Sequence, residues 1–262
     1  MTISTTDDQR MLTSDQLIQY QQTGYLHLRG LFSAGEVAGW QAEADRLAGL
    51  TELMDANNLR VALANRDGRP IVSIFARVRD ISPLFDRLMH DRRILGVMRE
   101  LYGEDALLFK DKLVGKPAGV GGPVSLHQDA AWWQGFPVED LVSVLIAIDA
   151  ADRTNGALEV FPGYVERGLL STPGELRNMN VREEGLVDLG TGEIIETEPG
   201  DLVFFHAFVP HRSEPNTSPR PRRQLYSTYN PIRHGDLYQA HQKHYDEYAR
   251  GLRGGSEKLF WR

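Results

Sequence analysis

The chain has 262 residues, 41% hydrophobic and 25% charged, with a formal net charge of −7 and no cysteine. That length is enough for a well-buried core, and the composition is that of an ordinary globular protein. Without cysteine there are no disulfides, thiolate metal sites, iron–sulfur clusters or cysteine nucleophiles, and the acidic balance without a long Lys/Arg run argues against a nucleic-acid or anionic-membrane surface.

Met1 to Arg10 is polar, carries the adjacent Asp7 and Asp8, and lacks the apolar core of a signal peptide. The longest nearly apolar run, Leu141 to Ile148, is too short to span a bilayer. The expectation is a soluble, cytoplasmic protein with no membrane or nucleic-acid partner. No repeat, low-complexity segment or linker divides it. A single domain over 1–262 is expected: a mainly helical section to about 102, a β core over about 103–232, and a C-terminal helix and tail over 233–262.

Thr13 with Gln16 predicts a capping box opening a first helix that Gly24 ends. Tyr25 to Leu28 is β-prone. Ser33 with Glu36 predicts a second box, before a helix carrying Val37, Trp40, Ala44, Leu47 and Leu50 at helical spacing. One further helix is predicted over 83–102. Beyond Gly103 the period changes. Strands are predicted for Leu107 to Lys116, Val142 to Asp149, Leu158 to Phe161, Ile194 to Thr197, Leu202 to Phe205 and Arg223 to Tyr229. Turn signals such as Asn155-Gly156, Pro199-Gly200 and Pro215-Asn216 separate them. Many short strands so punctuated predict a mainly β fold with flanking helices, built on a double-sheet jelly roll. Asp236 to Leu252 reads as a last amphipathic helix.

Three segments carry chemistry. In Ser125-Leu126-His127-Gln128-Asp129, an imidazole and a carboxylate stand two apart, which on a strand puts them on one face. In Gly200 to His211, an apolar strand leads to a histidine that can complete the set. Two histidines and one carboxylate form the facial triad of non-haem iron(II) oxygenases and leave three coordination positions open. 2-Oxoglutarate can take two of these and O2 the third. In the third segment, Pro219 to Arg223, Arg222 follows His211 by 11 residues. A guanidinium there suits the far carboxylate of 2-oxoglutarate, the other reading being a solvated turn arginine.

On these residues the sequence resembles the phytanoyl-CoA dioxygenase family of Fe(II)/2-oxoglutarate-dependent oxygenases. The resemblance extends to Thr23 through Ser33, to Lys116-Pro117 ahead of the metal motif, to Arg153 through Gly163, and to Ser213 and Asn216. It implies a double-stranded β-helix (cupin-like) core and a dioxygenase acting on a C–H bond of a small molecule. It implies that His127, Asp129 and His211 bind Fe(II). Arg222 would pair with 2-oxoglutarate and Ser213 hydrogen-bond to it. Lys112 would contact the co-substrate if it faces the interior; otherwise it is a surface lysine on an edge strand. Related halogenases carry Ala or Gly where this chain has Asp129, so hydroxylation or a related oxidation such as desaturation is expected rather than halogenation.

Two rival readings are a cupin-like metal-dependent isomerase or hydrolase and a non-catalytic jelly-roll binding protein. The Ser213 and Arg222 spacing argues against the first, and the intact ligand set against the second. His206 reads as a supporting or strand-packing histidine. His241 and His244, with His234 nearby, read as solvated helix surface rather than a second metal site. Trp132, Trp133 and Phe136 read equally as pocket wall or as core. Segments 52–80 and 130–138 are where substrate-facing residues are sought, and Arg60, Arg66, Arg77 and Lys110 are either anion receptors or surface charge. A small hydrophilic metabolite or natural-product intermediate is the expected substrate.

Overall fold

The computed structural model describes residues 10–170, 186–252, 254 and 258–262; Asp7 and Asp8 lie outside the described residues. In chain order the helices are α1 (Ser14–Thr23), α2 (Ala34–Ala48), α3 (Pro83–Met89), α4 (Arg92–Tyr102) and α5 (Tyr238–Leu252). The strands are β1 (Tyr25–Leu28), β2 (Val61–Arg66), β3 (Arg69–Ala76), β4 (Ala106–Lys116), β5 (Val124–His127) and β6 (Val142–Ala147). They continue with β7 (Leu158–Val160), β8 (Glu193–Ile195), β9 (Leu202–His206), β10 (His211–Ser213) and β11 (Arg222–Pro231).

Both capping boxes form. The Thr13 hydroxyl accepts from the Gln16 amide and the Ser33 hydroxyl from the Glu36 amide, with the Gln16 and Glu36 side chains accepting in return. Gly24 closes α1 at φ +81°. The single helix expected over 83–102 is two helices. Asp91, at φ −62° and ψ 134°, leaves helical geometry, and its side chain accepts from the Arg93 amide to cap α4. The β2–β3 hairpin falls in a stretch for which no strand was expected.

Among the described residues the strands form two antiparallel sheets, ordered β1-β9-β6-β11-β4-β3-β2 and β5-β10-β7-β8. This is the double-stranded β-helix architecture. The section before Gly103 is therefore not only helical, since it supplies three strands of the larger sheet. Strand alternation sorts the apolar run of β6 onto two faces. Val144 and Ile146, with Leu202 and Phe204 of β9, face the helices in the largest core cluster. Leu145 and Ala147, with Val203 and Phe205, face the space between the sheets. A central strand covered on both sides favours apolar residues, which explains the run from Leu141 to Ile148, interrupted only by Ser143. Each fully buried Val, Leu, Ile or Phe there contributes about 2 kcal/mol. The chemistry sits where this apolar interior gives way to polar side chains.

Candidate active site

Strands β5 and β10 pair so that His127 and His211 stand directly opposite each other. Their ring centroids are 4.2 Å apart. β5 ends at His127, and Asp129 opens a one-turn 3-10 helix, Asp129–Trp132. His127 and Asp129 therefore converge because the chain turns between them, not because they alternate along one strand. Gln128 holds that turn. Its amide nitrogen donates to the carbonyls of Gly168 (2.9 Å) and Phe208 (2.7 Å), and its oxygen accepts from the Leu170 amide (2.7 Å).

The three residues are each less than 9% exposed, and one donor atom from each lies within 4.8 Å of the others. The His127 and His211 Nε2 atoms are 3.9 and 4.0 Å from Asp129 Oδ1. Each ring's other nitrogen is committed: Nδ1 of His127 donates to the Ser125 carbonyl (2.8 Å) and Nδ1 of His211 to the Val209 carbonyl (2.9 Å). A carbonyl only accepts, so the proton sits on Nδ1 and the Nε2 lone pair is free. Burial, reinforced by His211, pushes His127 down to about 3, and burial also lowers His211. Both rings are thus neutral, the form that ligates metal. Burial pushes the Asp129 carboxyl up, but His211, Lys110, Lys112 and His127 together outweigh it and hold the acid ionised. Its second oxygen, Oδ2, accepts from Ser143 Oγ at 2.7 Å, and Ser143 lies 3.1 Å from Thr228 Oγ1. Sequence reasoning missed both hydroxyls.

From Thr228 a row of inward side chains runs along β11: Thr228, Tyr226, Gln224, Arg222. Lys110, Lys112, Val114 and Lys116 of β4 are their register partners. Arg222 is 2% exposed. Its Nη1 donates to Gln224 Oε1 and its Nη2 to the Gly156 carbonyl (2.9 Å). Its Nε and the Gln224 Nε2 are buried donors without partners. Ser213 is buried at the same end, where Lys116, the register partner of Arg222, donates to its carbonyl at 3.2 Å. Asn216 closes the loop into β11 by donating to the carbonyls of Lys116 and Arg220. The donor set fits the groups expected of it. Two neutral imidazoles and a carboxylate suit divalent iron, and orphaned guanidinium and amide N–H groups suit a carboxylate.

Beside the triad lies a cavity of about 480 Å³. His127 and Asp129 form part of its wall, with Lys110, Lys112, Trp132 and Trp133. Lys112 thus faces the interior, its ammonium 5.4 Å from the Tyr226 ring centroid. Trp133 serves both expected roles, because it also packs edge-on against Phe109. Phe136 packs on Phe109 as core. His241 corrects an expectation: it is 4% exposed, packs 4.5 Å from the Phe109 ring, and with His244 lines the cavity instead of facing solvent. His206 lies outside the triad and donates to the Glu139 carbonyl; His234 pairs with Asp140 at 2.7 Å. Arg60 is committed to the Ala76 and Arg77 carbonyls, Arg66 to that of Ala118, and Arg77 to Asp80 at 3.0 Å. Lys110 alone of that set has no ion pair or hydrogen bond among the described residues.

The profile of the phytanoyl-CoA dioxygenase (PhyH) family matches residues 20–224. The methylphosphonate hydroxylase of Gimesia maris is 31% identical over 236 residues, 86% of this chain and 84% of that one. A 2-aminoethylphosphonate dioxygenase from an uncultured bacterium (HF130_AEPn_1) is 29% identical, with the same shares covered. The ectoine dioxygenase of Bordetella bronchiseptica is 27% identical, over 84% of this chain and 76% of that one. Among solved structures, EctD from S. alaskensis with 2-oxoglutarate and 5-hydroxyectoine superposes with a TM-score of 0.69 at 24% identity. That match covers 87% of this chain and 79% of the other, and shows the same fold.

Proposed function

The chain belongs to the phytanoyl-CoA dioxygenase family, and from that premise we propose that His127, Asp129 and His211 hold its iron(II) while Arg222, Ser213 and Lys112 hold 2-oxoglutarate. The enzyme is an Fe(II)/2-oxoglutarate-dependent dioxygenase that hydroxylates a small molecule, turning 2-oxoglutarate and O2 into succinate and CO2. The observation that carries the residue assignment is the convergence of three buried donor atoms, each with its other polar atom already satisfied.

Bound iron supplies the O2-activating, C–H-oxidising chemistry, and the protein's part is to bind, orient and shield. The Ser125 and Val209 carbonyls aim the two imidazoles by fixing their Nδ1 protons. Ser143 holds one oxygen of Asp129 and leaves the other facing the histidines. Arg222 presents its free Nε–H at the far end of the β11 row, and Tyr226 stands between the two ends. Trp132 and Trp133 line the cavity beside the triad. The relatives named for methylphosphonate, 2-aminoethylphosphonate and ectoine support a small polar substrate, and the net charge of −7 supports a reading without a nucleic-acid partner.

Anaerobic titration of the apoprotein with Fe(II) and 2-oxoglutarate, followed by visible absorption, tests this. The expected result is a weak charge-transfer band that requires both components and is lost in His211→Ala. Arg222→Ala is expected to keep iron binding but to weaken 2-oxoglutarate by about 10- to 100-fold, the loss of a charge-assisted pair. Unchanged 2-oxoglutarate affinity in that variant would remove Arg222 from the site.

A further inference from the structure

The cavity wall carries an ammonium that the functions assigned above do not use. Lys110 lies on β4 two residues before Lys112, on the same inward face, and both line the cavity beside His127 and Asp129. Lys110 Nζ sits 4.8 Å from the Trp133 ring centroid. Among the described residues no carboxylate lies within 4.0 Å of it and no hydrogen bond engages it. The nearby candidates are committed. Both oxygens of Asp111 are taken, Oδ1 by the Tyr238 hydroxyl (2.7 Å) and Oδ2 by the Arg79 amide (3.0 Å). Asp129 faces the histidines and Ser143.

Charge counting leads further, and it rests on the reading under Proposed function. The two positive charges of iron and the one of Arg222 are matched by one negative charge on Asp129 and two on 2-oxoglutarate. Lys112 is engaged with 2-oxoglutarate, so Lys110 is left without a partner in a low-dielectric cavity, where an unpaired ion is costly. Burial, with Lys112 adding to it, already pulls the Lys110 amine down to about 7, so its charge is held only weakly without an anion. One part of the remaining wall is flat and aromatic: Trp132, Trp133, His241, Tyr245 and Tyr248. We propose that Lys110 is a specificity-determining residue that anchors the oxyanion of a small organic phosphonate or carboxylate substrate, with the carbon chain laid between the aromatic wall and the metal triad. A neutral or cationic substrate leaves Lys110 unpaired and is discriminated against.

The test is anaerobic calorimetry on wild-type protein loaded with Fe(II) and 2-oxoglutarate, after the charge-transfer band has verified loading. The probes are straight-chain phosphonates and carboxylates of one to four carbons, with the matching neutral alcohols. Saturable binding of at least one anion series and none of the alcohols is expected, and the series that binds more tightly distinguishes a phosphonate from a carboxylate substrate. In Lys110→Met that affinity is expected to fall about 10- to 100-fold, with the band and 2-oxoglutarate affinity unchanged. Lys110→Arg is expected to recover part of the loss. Failure of every anion to bind the loaded protein, or equal anion affinity in Lys110→Met, overturns the proposal. Absence of the band before any probe is added overturns instead the reading on which it rests. Should Lys110→Met fail to fold, Lys110→Gln decides on the same criteria.

Discussion

Ser143 holds the Asp129 oxygen that turns away from the two histidines, and this small contact sets the direction of the whole ligand set. Ser143→Ala leaves Asp129 free to rotate. The expected effect is about a 10- to 100-fold loss in Fe(II) affinity with the fold retained, checked by metal titration alongside circular dichroism. The triad was legible in the sequence through the order and spacing of several motifs that together resemble the family's, and not through any one of them alone. Ser143 was not legible. It lies inside the apolar run of β6, and only the cross-strand pairing with Thr228 and the turn at Gln128 bring it to Asp129. His241 misled for the opposite reason. Its neighbours on α5 are polar, so it read as solvated, whereas that helix buries His241 and Gln242 in the cavity wall.

At the scale of elements, the loop between β6 and β7 positions Arg222 through a backbone carbonyl rather than a side chain. Gly156 has φ +80°, and a Cβ there would lie 2.3 Å from the Glu214 carbonyl oxygen. Gly156→Ala therefore displaces the Arg222 acceptor. A lower melting temperature and weaker 2-oxoglutarate binding are expected with Fe(II) binding retained, the first read by thermal denaturation and the others by titration. Asn155-Gly156 was readable as a turn, but not as part of the site. Asp91 shows another limit. The apolar residues from Leu84 to Leu101 predict one helix, yet the Asp91 cap divides it. Asp91→Ala is expected to cost about 1 kcal/mol in a denaturant titration. The β2–β3 hairpin lacks a clean alternation because much of it is only partly buried. Strands buried on both faces, such as β6 and β9, were the easiest to read.

At the scale of the molecule, the ligands come from different parts of the architecture. His127 and His211 belong to the smaller sheet, while Asp129 is fixed by Ser143 and Thr228 of the larger one. Iron bound by all three therefore fastens the sheets together. Added Fe(II) is expected to raise the melting temperature in proportion to the logarithm of its concentration, and a chelator to reverse this; no rise in His211→Ala would confirm the origin. The outermost place of β5 has a consequence for handling the protein. Among the described residues it is paired on one flank only, by β10, and Val124 at its start is 42% exposed. Iron at His127 pins its other end. Stripped of metal, this strand is free to fray and to offer its unpaired backbone to a second molecule. Iron-depleted preparations should then lose amide-exchange protection at Val124–His127 first and cloud on storage, while metal-loaded ones stay clear.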